Sequence, residues 1–555
     1  MGDAEGVEVA VQLGPALPMG ISGVHLCIMP CLTRVPRTMS ATKPTLRATA
    51  ADTSPTRRVP RAAPALLAVA AALASLAVQY RVVPLLSGNL DEGAYLFQAQ
   101  MLLDGRVTLS GERYGAFFRP WLTGEHDGRI FFEYQVGFAA LLAGAERVLG
   151  SMRLGLAAVA AWNVVAVYGF ARALWGDRRT ALWAACLVGA SPMVILHSGL
   201  FLTYVATLAA LASAAWAALV AVERSSVGHV ALAGAALGVA LLIRPLDALL
   251  VAPALAALVL SRARAAGAEW TRLAGWAGVA CLAIVPALLA TAWYNARTTG
   301  SPTQFPNMAA DPLNRFGFGV RRLVEEEPAI RYELSHALGA LRRNLWAVPS
   351  WSLGGPLLLL LAGWGVTRRG LGIERVVVVA IGLAFPAVYF FWWATRLSAA
   401  GATNGIGPHY YVPTFLALGL LAARGAVDLV DRTRLPALGL VAILVLATGW
   451  ALPDKLRVQR DTREFHRAAE AALPDDLDDA VVVIYYGRPY LLSRLPFLVT
   501  DPDLEGDVLY AVDRGPDNVE LATMFPDRAI YRLVEDWTKP LDERFRLVCE
   551  LPATC

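Results

Sequence analysis

Apolar residues in this chain fall into long unbroken runs, separated by short arginine-bearing loops and by three long, more polar segments. A helix needs roughly 20 apolar residues to cross the hydrocarbon of a bilayer. The pattern predicts eleven spans, at 62–80, 154–174, 180–196, 201–222, 230–243, 246–260, 273–292, 345–366, 376–393, 410–423 and 435–452. The stretch 134–149 (YQVGFAALLAGAERVL) is apolar but short for a span, and reads as a helix lying on the outer surface. Residues 230–260 read as two short helices; as one long helix they would bury Arg244 and Asp247 in its middle. Changing either assignment alone would move the C-terminus to the other side.

Arginines fix the orientation. Counting from a first helix with its N-terminus in the cytoplasm, the inner loops carry Arg172, Arg178 and Arg179; Arg224; Arg262, Arg264 and Arg272; Arg368, Arg369 and Arg375; and Arg424, Arg432 and Arg434. All five follow the positive-inside rule. The long segments 81–153, 293–344 and 453–555 then lie outside.

Composition agrees with a polytopic membrane protein: 56% of the 555 residues are hydrophobic and 17% charged, against about 25% charged in globular chains. The net charge of +4 gives no reason to expect a nucleic-acid partner. Membrane lipid is the expected surround. Residues 1–61 read as a cytoplasmic N-terminal extension in which Met39 is an alternative start, so 1–38 carry no structural expectation. Of the six cysteines, Cys186 and Cys281 sit in apolar runs and Cys27 and Cys31 in the extension. Cys549 and Cys555 could bridge in an extracytoplasmic C-terminus.

The last hundred residues change character. Residues 454–550 hold 21 acids and 13 bases. EFHRAAEAAL (464–473) reads as a helix, AVVVIYY (480–486) and DVLYAV (507–512) as strands, with a turn at Asp513, Gly515 and Pro516. The expected architecture is an α-helical transmembrane domain over 62–452, with outer loops 81–153 and 293–344, followed by a small extracytoplasmic α/β domain over 453–555.

Candidate chemistry begins in the first outer loop, GNLDEGAYLFQAQMLLDGR. Asp91 and Glu92 open a helix whose apolar face (Tyr95, Leu96, Ala99, Leu102, Leu103) would lie along the membrane interface. Acids also favour the first turn of any helix, where they cap free N–H groups. Arg244 offers a guanidinium fork matched to phosphate oxygens, and ions at such depths in membrane proteins are commonly functional. A structural pair with Asp247 is the competing reading. Tyr410 and Tyr411 read as interfacial belt aromatics, Arg297 and Arg315 as weaker candidates, and 321–343 as a surface-lying helix.

Taken in order, these motifs resemble the GT-C glycosyltransferases, which include lipid A aminoarabinose transferases and dolichyl-phosphate-mannose protein mannosyltransferases. The resemblance rests on Asp91, Glu92 and Tyr95 with the helix end Leu102 to Arg106; on FFEYQVGFAALL (131–142); on Arg244-Pro245; on Tyr294, Asn295, Thr299 to Pro302, Phe305 and Pro306; and on GPHYYVP (407–413). It implies an inverting transfer of a sugar from a polyprenyl-phosphate donor to a glycan, lipid or protein acceptor on the outer face. Asp91 matches the catalytic base, with Glu92 as a neighbour that tunes or caps. Glu133 matches an acid used for substrate or metal contact, and His409 a phosphate-binding basic position. Arg244 and Tyr95 complete the expected substrate-binding set. Where the class often has a second aspartate, this chain has His197-Ser198-Gly199 and Thr203-Tyr204, so a divalent metal cofactor is an open expectation. A transporter or flippase of envelope precursors is the alternative, but the Arg244 segment has no second copy of the kind expected in a two-halved carrier.

Overall fold

The structure is a computed structural model that describes residues 60–324, 328–367, 372–433, 435–485 and 494–551. Cys27, Cys31, Arg368, Arg369, Arg434, Tyr486 and Cys555 lie outside the described residues, as does the whole of 1–38.

Helices dominate. Among the described residues six are long and apolar enough to cross a membrane: Ala63–Val82, Met152–Trp175, Tyr204–Arg224, Pro245–Ala265, Trp270–Thr299 and His409–Thr433. The number rises to eight if two bent pairs each count as one span. The chain is thus a multi-pass membrane protein. The other expected spans are also helical but shorter or broken. Val227–Ile243 and Pro356–Thr367 are short apolar helices, and Ile373–Tyr389 has 17 residues. The 180–196 run divides into Arg178–Gly189 and Pro192–Ser198, 64° apart, because Pro192 restarts the helix under a Ser191 cap.

Two expectations between residues 321 and 366 fail. The 345–366 run is not one helix: Leu334–Ser350 ends before Gly354 and Gly355, both at positive φ, and a new helix starts at Pro356. The proposed 321–343 surface helix is instead a two-stranded hairpin (Gly319–Arg321 with Ile330–Tyr332) followed by the start of the Leu334–Ser350 helix. A reciprocal capping box between Glu333 and His336 sets that start.

Small residues let the helices approach closely. The Tyr204–Arg224 helix packs its alanines against Met152–Trp175 and Val227–Ile243. Gly365 and Gly425 meet Leu421 and Leu361 of the facing helix with no room for a Cβ on either glycine. Close backbone contact of this kind is what holds helices together in lipid, where apolar burial supplies little drive.

The Arg-rich loops meet at one end of this bundle. Arg179 pairs with Asp431 (2.8 Å), Arg424 with Asp177 (3.3 Å) and Arg262 with Glu374 (3.2 Å). Asp91, Arg244, Tyr389 and Tyr410 gather at the opposite ends of the same helices.

The C-terminal segment forms the expected α/β unit, with more strands than were read. Its four-stranded sheet runs Val508–Val512, Ala480–Ile484, Ala529–Glu535, Phe545–Cys549, the first three parallel and the last antiparallel. The helix before it is longer than expected, Leu452–Ala471. Cys549 is disulfide-bonded.

The Asp91–Leu103 helix is not a surface helix. Tyr95 and Ala99 belong to the main membrane core. Ala94, Phe97 and Met101 share a second core with Phe117 and Phe118 of the first long loop and with Val481, Val483, Leu509 and Ile530 of the sheet. Its two apolar faces are thus covered from both sides. A single-face reading could not foresee that, because the covering strands lie about 400 residues downstream.

Candidate functional site

Pro245 places the site's cation. The residue before a proline is kept out of the helical region, and Arg244 stands at φ −142°, ψ 88° between Val227–Ile243 and Pro245–Ala265. The break delivers its side chain to the helix ends opposite the arginine-rich loops. There Nε donates to Asp247 Oδ2 (2.8 Å), Nη1 to Thr203 Oγ1 (3.2 Å) and Nη2 to the Tyr389 hydroxyl (2.6 Å). Tyr389 in turn donates to Asp247 Oδ1 (2.8 Å). The guanidinium also lies 4.7 Å from the centroid of the Tyr204 ring. The pair with Asp247 is therefore real. It does not bury the arginine completely: the Arg244 side chain is 16% exposed, against 3% for Asp247.

Asp91 and Glu92, adjacent in sequence, are put to different uses. Glu92 is fully buried, and its oxygens accept from the Ser87 N–H (2.8 Å), the Ser87 hydroxyl and the Phe201 N–H (2.9 Å). It ties the entry of its own helix to the 199–203 turn that carries Thr203. Asn89 accepts the Asp91 N–H (2.9 Å), so the helix start is served without the Asp91 carboxylate. That carboxylate faces the Tyr134 phenol and the Arg244 charge. Burial pushes Asp91 above the usual carboxylate range, while Tyr134 and Arg244 pull it back. Glu92 is also raised, first by burial.

Aromatic side chains wall this region. Tyr95 stacks on Tyr134 (centroids 4.4 Å apart) and meets Phe138 edge-on. Tyr389 stacks on Tyr410 (4.9 Å), and Tyr204 lies 5.1 Å from His409. Tyr410 is therefore part of the site and Tyr411 is buried in the core, which corrects the reading of both as belt aromatics. Helix packing, rather than lipid, holds them.

Of the expected residues, Asp91, Tyr95 and Arg244 come together. His409 is adjacent, buried among Tyr204, Tyr410 and His197, with Nδ1 near the Gly407 carbonyl (3.2 Å); it does not present an open cation. Glu133 is buried and accepts from Asn314 Nδ2 (3.0 Å), which links the first long loop to the second. Arg297 and Arg315 are exposed. The Tyr294–Pro302 motif folds on itself, with Asn295 Nδ2 donating to the Pro302 carbonyl (3.3 Å), while the Tyr294 hydroxyl accepts from Gln98 (2.8 Å). Among the described residues no three His, Cys, Asp or Glu side chains form a group that could hold a metal.

Three residues escaped sequence reasoning. Tyr134 sits beside Glu133 in the FFEY motif, where the acid drew attention. Tyr389 ends an apolar run, and nothing local sets it apart from the aromatics that follow. Thr203 was noted only as standing where an aspartate was expected.

Residues 130–290 match the family described as dolichyl-phosphate-mannose-protein mannosyltransferase, and residues 480–546 match a family described as a domain of unknown function. No curated protein matches the chain. Among solved structures, ArnT from Cupriavidus metallidurans bound to undecaprenyl phosphate is similar at TM-score 0.48 and 16% identity, over 85% of this chain and 90% of that one. The Archaeoglobus fulgidus oligosaccharyltransferase AglB, in complex with an inhibitory peptide and a dolichol-phosphate, is similar at TM-score 0.41 and 12% identity, over 78% and 63%. The match over 130–290 bears out the resemblance to GT-C glycosyltransferases drawn from the motifs.

Proposed function

We propose, with the mannosyltransferase-type match over residues 130–290 as premise, that this membrane protein is an inverting glycosyltransferase. It would move a sugar from a polyprenyl-phosphate donor to an envelope glycan, lipid or protein acceptor on the outer face. The observation that carries the reading is the placement of the Asp91 carboxylate within electrostatic reach of Arg244, in a tyrosine-walled site at the ends of the helices opposite the arginine-rich loops.

In this reading Asp91 takes the proton of the acceptor hydroxyl as its oxygen attacks the anomeric carbon. The bond from that carbon to the phosphate oxygen breaks on the opposite face, and polyprenyl phosphate leaves. One base and no covalent nucleophile suffice for inversion, and a positioned base contributes about 10²–10⁴-fold. A carboxyl raised by burial is a stronger base than an exposed one. Arg244 offsets the charge that grows on the phosphate, whose oxygens take the place of its neutral partners on Thr203 and Tyr389. Asp247 then keeps the guanidinium aimed. Glu92 holds the scaffold, and Tyr95 contributes a wall.

Membrane placement follows the charge pattern: eleven spans including the short and broken helices, N-terminus in the cytoplasm, and the 453–555 unit outside. The closing of the arginine loops on one another at one end supports this. The test is incubation of purified protein with a panel of polyprenyl-phosphate sugars and membrane-extract acceptors, with mass detection of free polyprenyl phosphate and of the glycosylated product. Release from at least one donor, dependent on acceptor, is expected; no release from any member of the panel in folded protein would overturn the reading.

A further inference from the structure

We infer that Tyr134 is the residue that positions the Asp91 carboxylate, through its phenol O–H. The inference rests on the assignment of Asp91 as base.

The geometry comes from one face of one helix. Asp91, Tyr95 and Gln98 are spaced i, i+4, i+7 in Asp91–Leu103, so their side chains line up along it. Tyr134 lies against that line. The carbonyl of Tyr134 accepts from Gln98 Nε2 (3.3 Å), and its ring stacks on Tyr95 at 4.4 Å and 22° between planes. With its backbone carbonyl held by Gln98 and its ring stacked on Tyr95, Tyr134 lies within hydrogen-bonding reach of Asp91 through its hydroxyl. Gln98 is itself held by donating to the Tyr294 hydroxyl (2.8 Å). The phenol is therefore presented to the carboxylate by a residue held once at its backbone and once at its ring.

A phenol in this place does two things. It fixes the rotamer of Asp91, so that one oxygen is held and the other is left for the acceptor. As a donor to the carboxylate it also favours the ionised form, against the burial that opposes it. Burial and the Asp91 charge hold Tyr134 itself above its usual range, so it stays protonated and able to donate. The other ionisable groups coupled to Asp91 are Glu92 and Tyr95 on its own helix, Arg244 at the helix break, Tyr204 at the start of its helix and Tyr410 in the first turn of His409–Thr433.

The test compares pH profiles of kcat/KM for transfer by the full-length protein, using whichever donor of the panel is turned over. Tyr134→Phe keeps the stack and removes the donor. The acid limb should move to higher pH by about one unit, the scale of a hydrogen bond to a charged group, with less than the loss caused by Asp91→Asn at plateau pH. Replacement of Tyr134 by 3-fluorotyrosine keeps the fold and strengthens the donor, so the limb should move to lower pH. A limb fixed in both variants, or moving the same way in both, would overturn the proposal. If Tyr134→Phe fails to fold, the fluorotyrosine variant alone decides. Retained turnover in Asp91→Asn would instead remove the base assignment, so the two failures are distinguishable.

Discussion

Gly93 lies directly beneath Pro496: a Cβ on the glycine would stand 2.8 Å from the proline carbonyl oxygen. Gly93 is two residues from Asp91, and Pro496 belongs to the segment joining two strands of the C-terminal sheet. This contact borders a cavity of about 80 Å³ lined by Leu90, Phe97, Phe118, Trp121 and Leu498. The C-terminal unit therefore bears on the first turn of the helix that presents Asp91.

Gly93→Val should push these segments apart and misplace Asp91. Displacements of about 1 Å in a reacting group are worth about 100-fold in rate, so kcat should fall by one to two orders of magnitude while the protein still inserts. Gly93→Ala should fall less. Turnover and chromatographic behaviour in detergent check this; wild-type kcat in Gly93→Val would show that the contact does not govern the site.

Asp91→Asn should lower kcat by about 10²–10⁴-fold with little change in Tm, because Asn89 and Glu92 serve the helix start. Glu92→Gln should show the reverse emphasis. It keeps the shape but turns part of a buried acceptor into a donor facing the Phe201 and Ser87 N–H groups. About 1–3 kcal/mol of stability should be lost, seen as a lowered Tm. Equal effects of the two changes on Tm and kcat would refute this division of roles.

Arg244→Lys keeps the charge and loses the fork. Lysine cannot serve Asp247, Thr203 and Tyr389 together, so donor KM should rise about tenfold or more and kcat should fall, in protein that still folds. Asp247→Asn leaves the guanidinium without its counter-charge and should destabilise the protein by about 3 kcal/mol. Unchanged donor kinetics in Arg244→Lys would leave the arginine a purely structural role.

Because burial raises Asp91, the ionised base should be lost at higher pH than for an ordinary carboxylate. The acid limb of kcat/KM should have its midpoint above about 4, the usual aspartate value, and activity should fall as pH drops through it. A midpoint at or below that value would contradict the burial.

Single cysteines at Gly105 and Thr538, both exposed, should react with an impermeant maleimide added to intact cells, and one at Gly176 should not. The Cys281→Ala background removes the exposed native thiol. Protection of position 538 would place the C-terminal unit inside and reduce the span count by an odd number.

Most of the long apolar helices and the helix break at Arg244-Pro245 were legible in the sequence. Both depend on local rules: apolar run length and proline geometry. The partners of Arg244 and Asp91 were not legible. Tyr389 lies 145 residues from Arg244, and Tyr134 43 residues from Asp91, so no periodicity links them. The Asp91 helix was misread as a surface element for the same reason. Its exposed-looking side, Ala94, Phe97 and Met101, is covered by strands that start at Ala480. Glu92 was read beside Asp91 as one feature, yet on a helix adjacent residues point about 100° apart, toward Phe201 in one case and Tyr134 in the other.

The cover over Ala94, Phe97 and Met101 is also a matter of timing. A nascent chain emerges N-terminus first, so Asp91, Tyr134 and Arg244 are all synthesised before the strands that complete the second core. A ribosome that has reached residue 450 has made every residue of the proposed site, yet the helix carrying Asp91 still lacks half its packing. Assembly is finished only by the last hundred residues. Premature termination should therefore yield an inserted but idle protein.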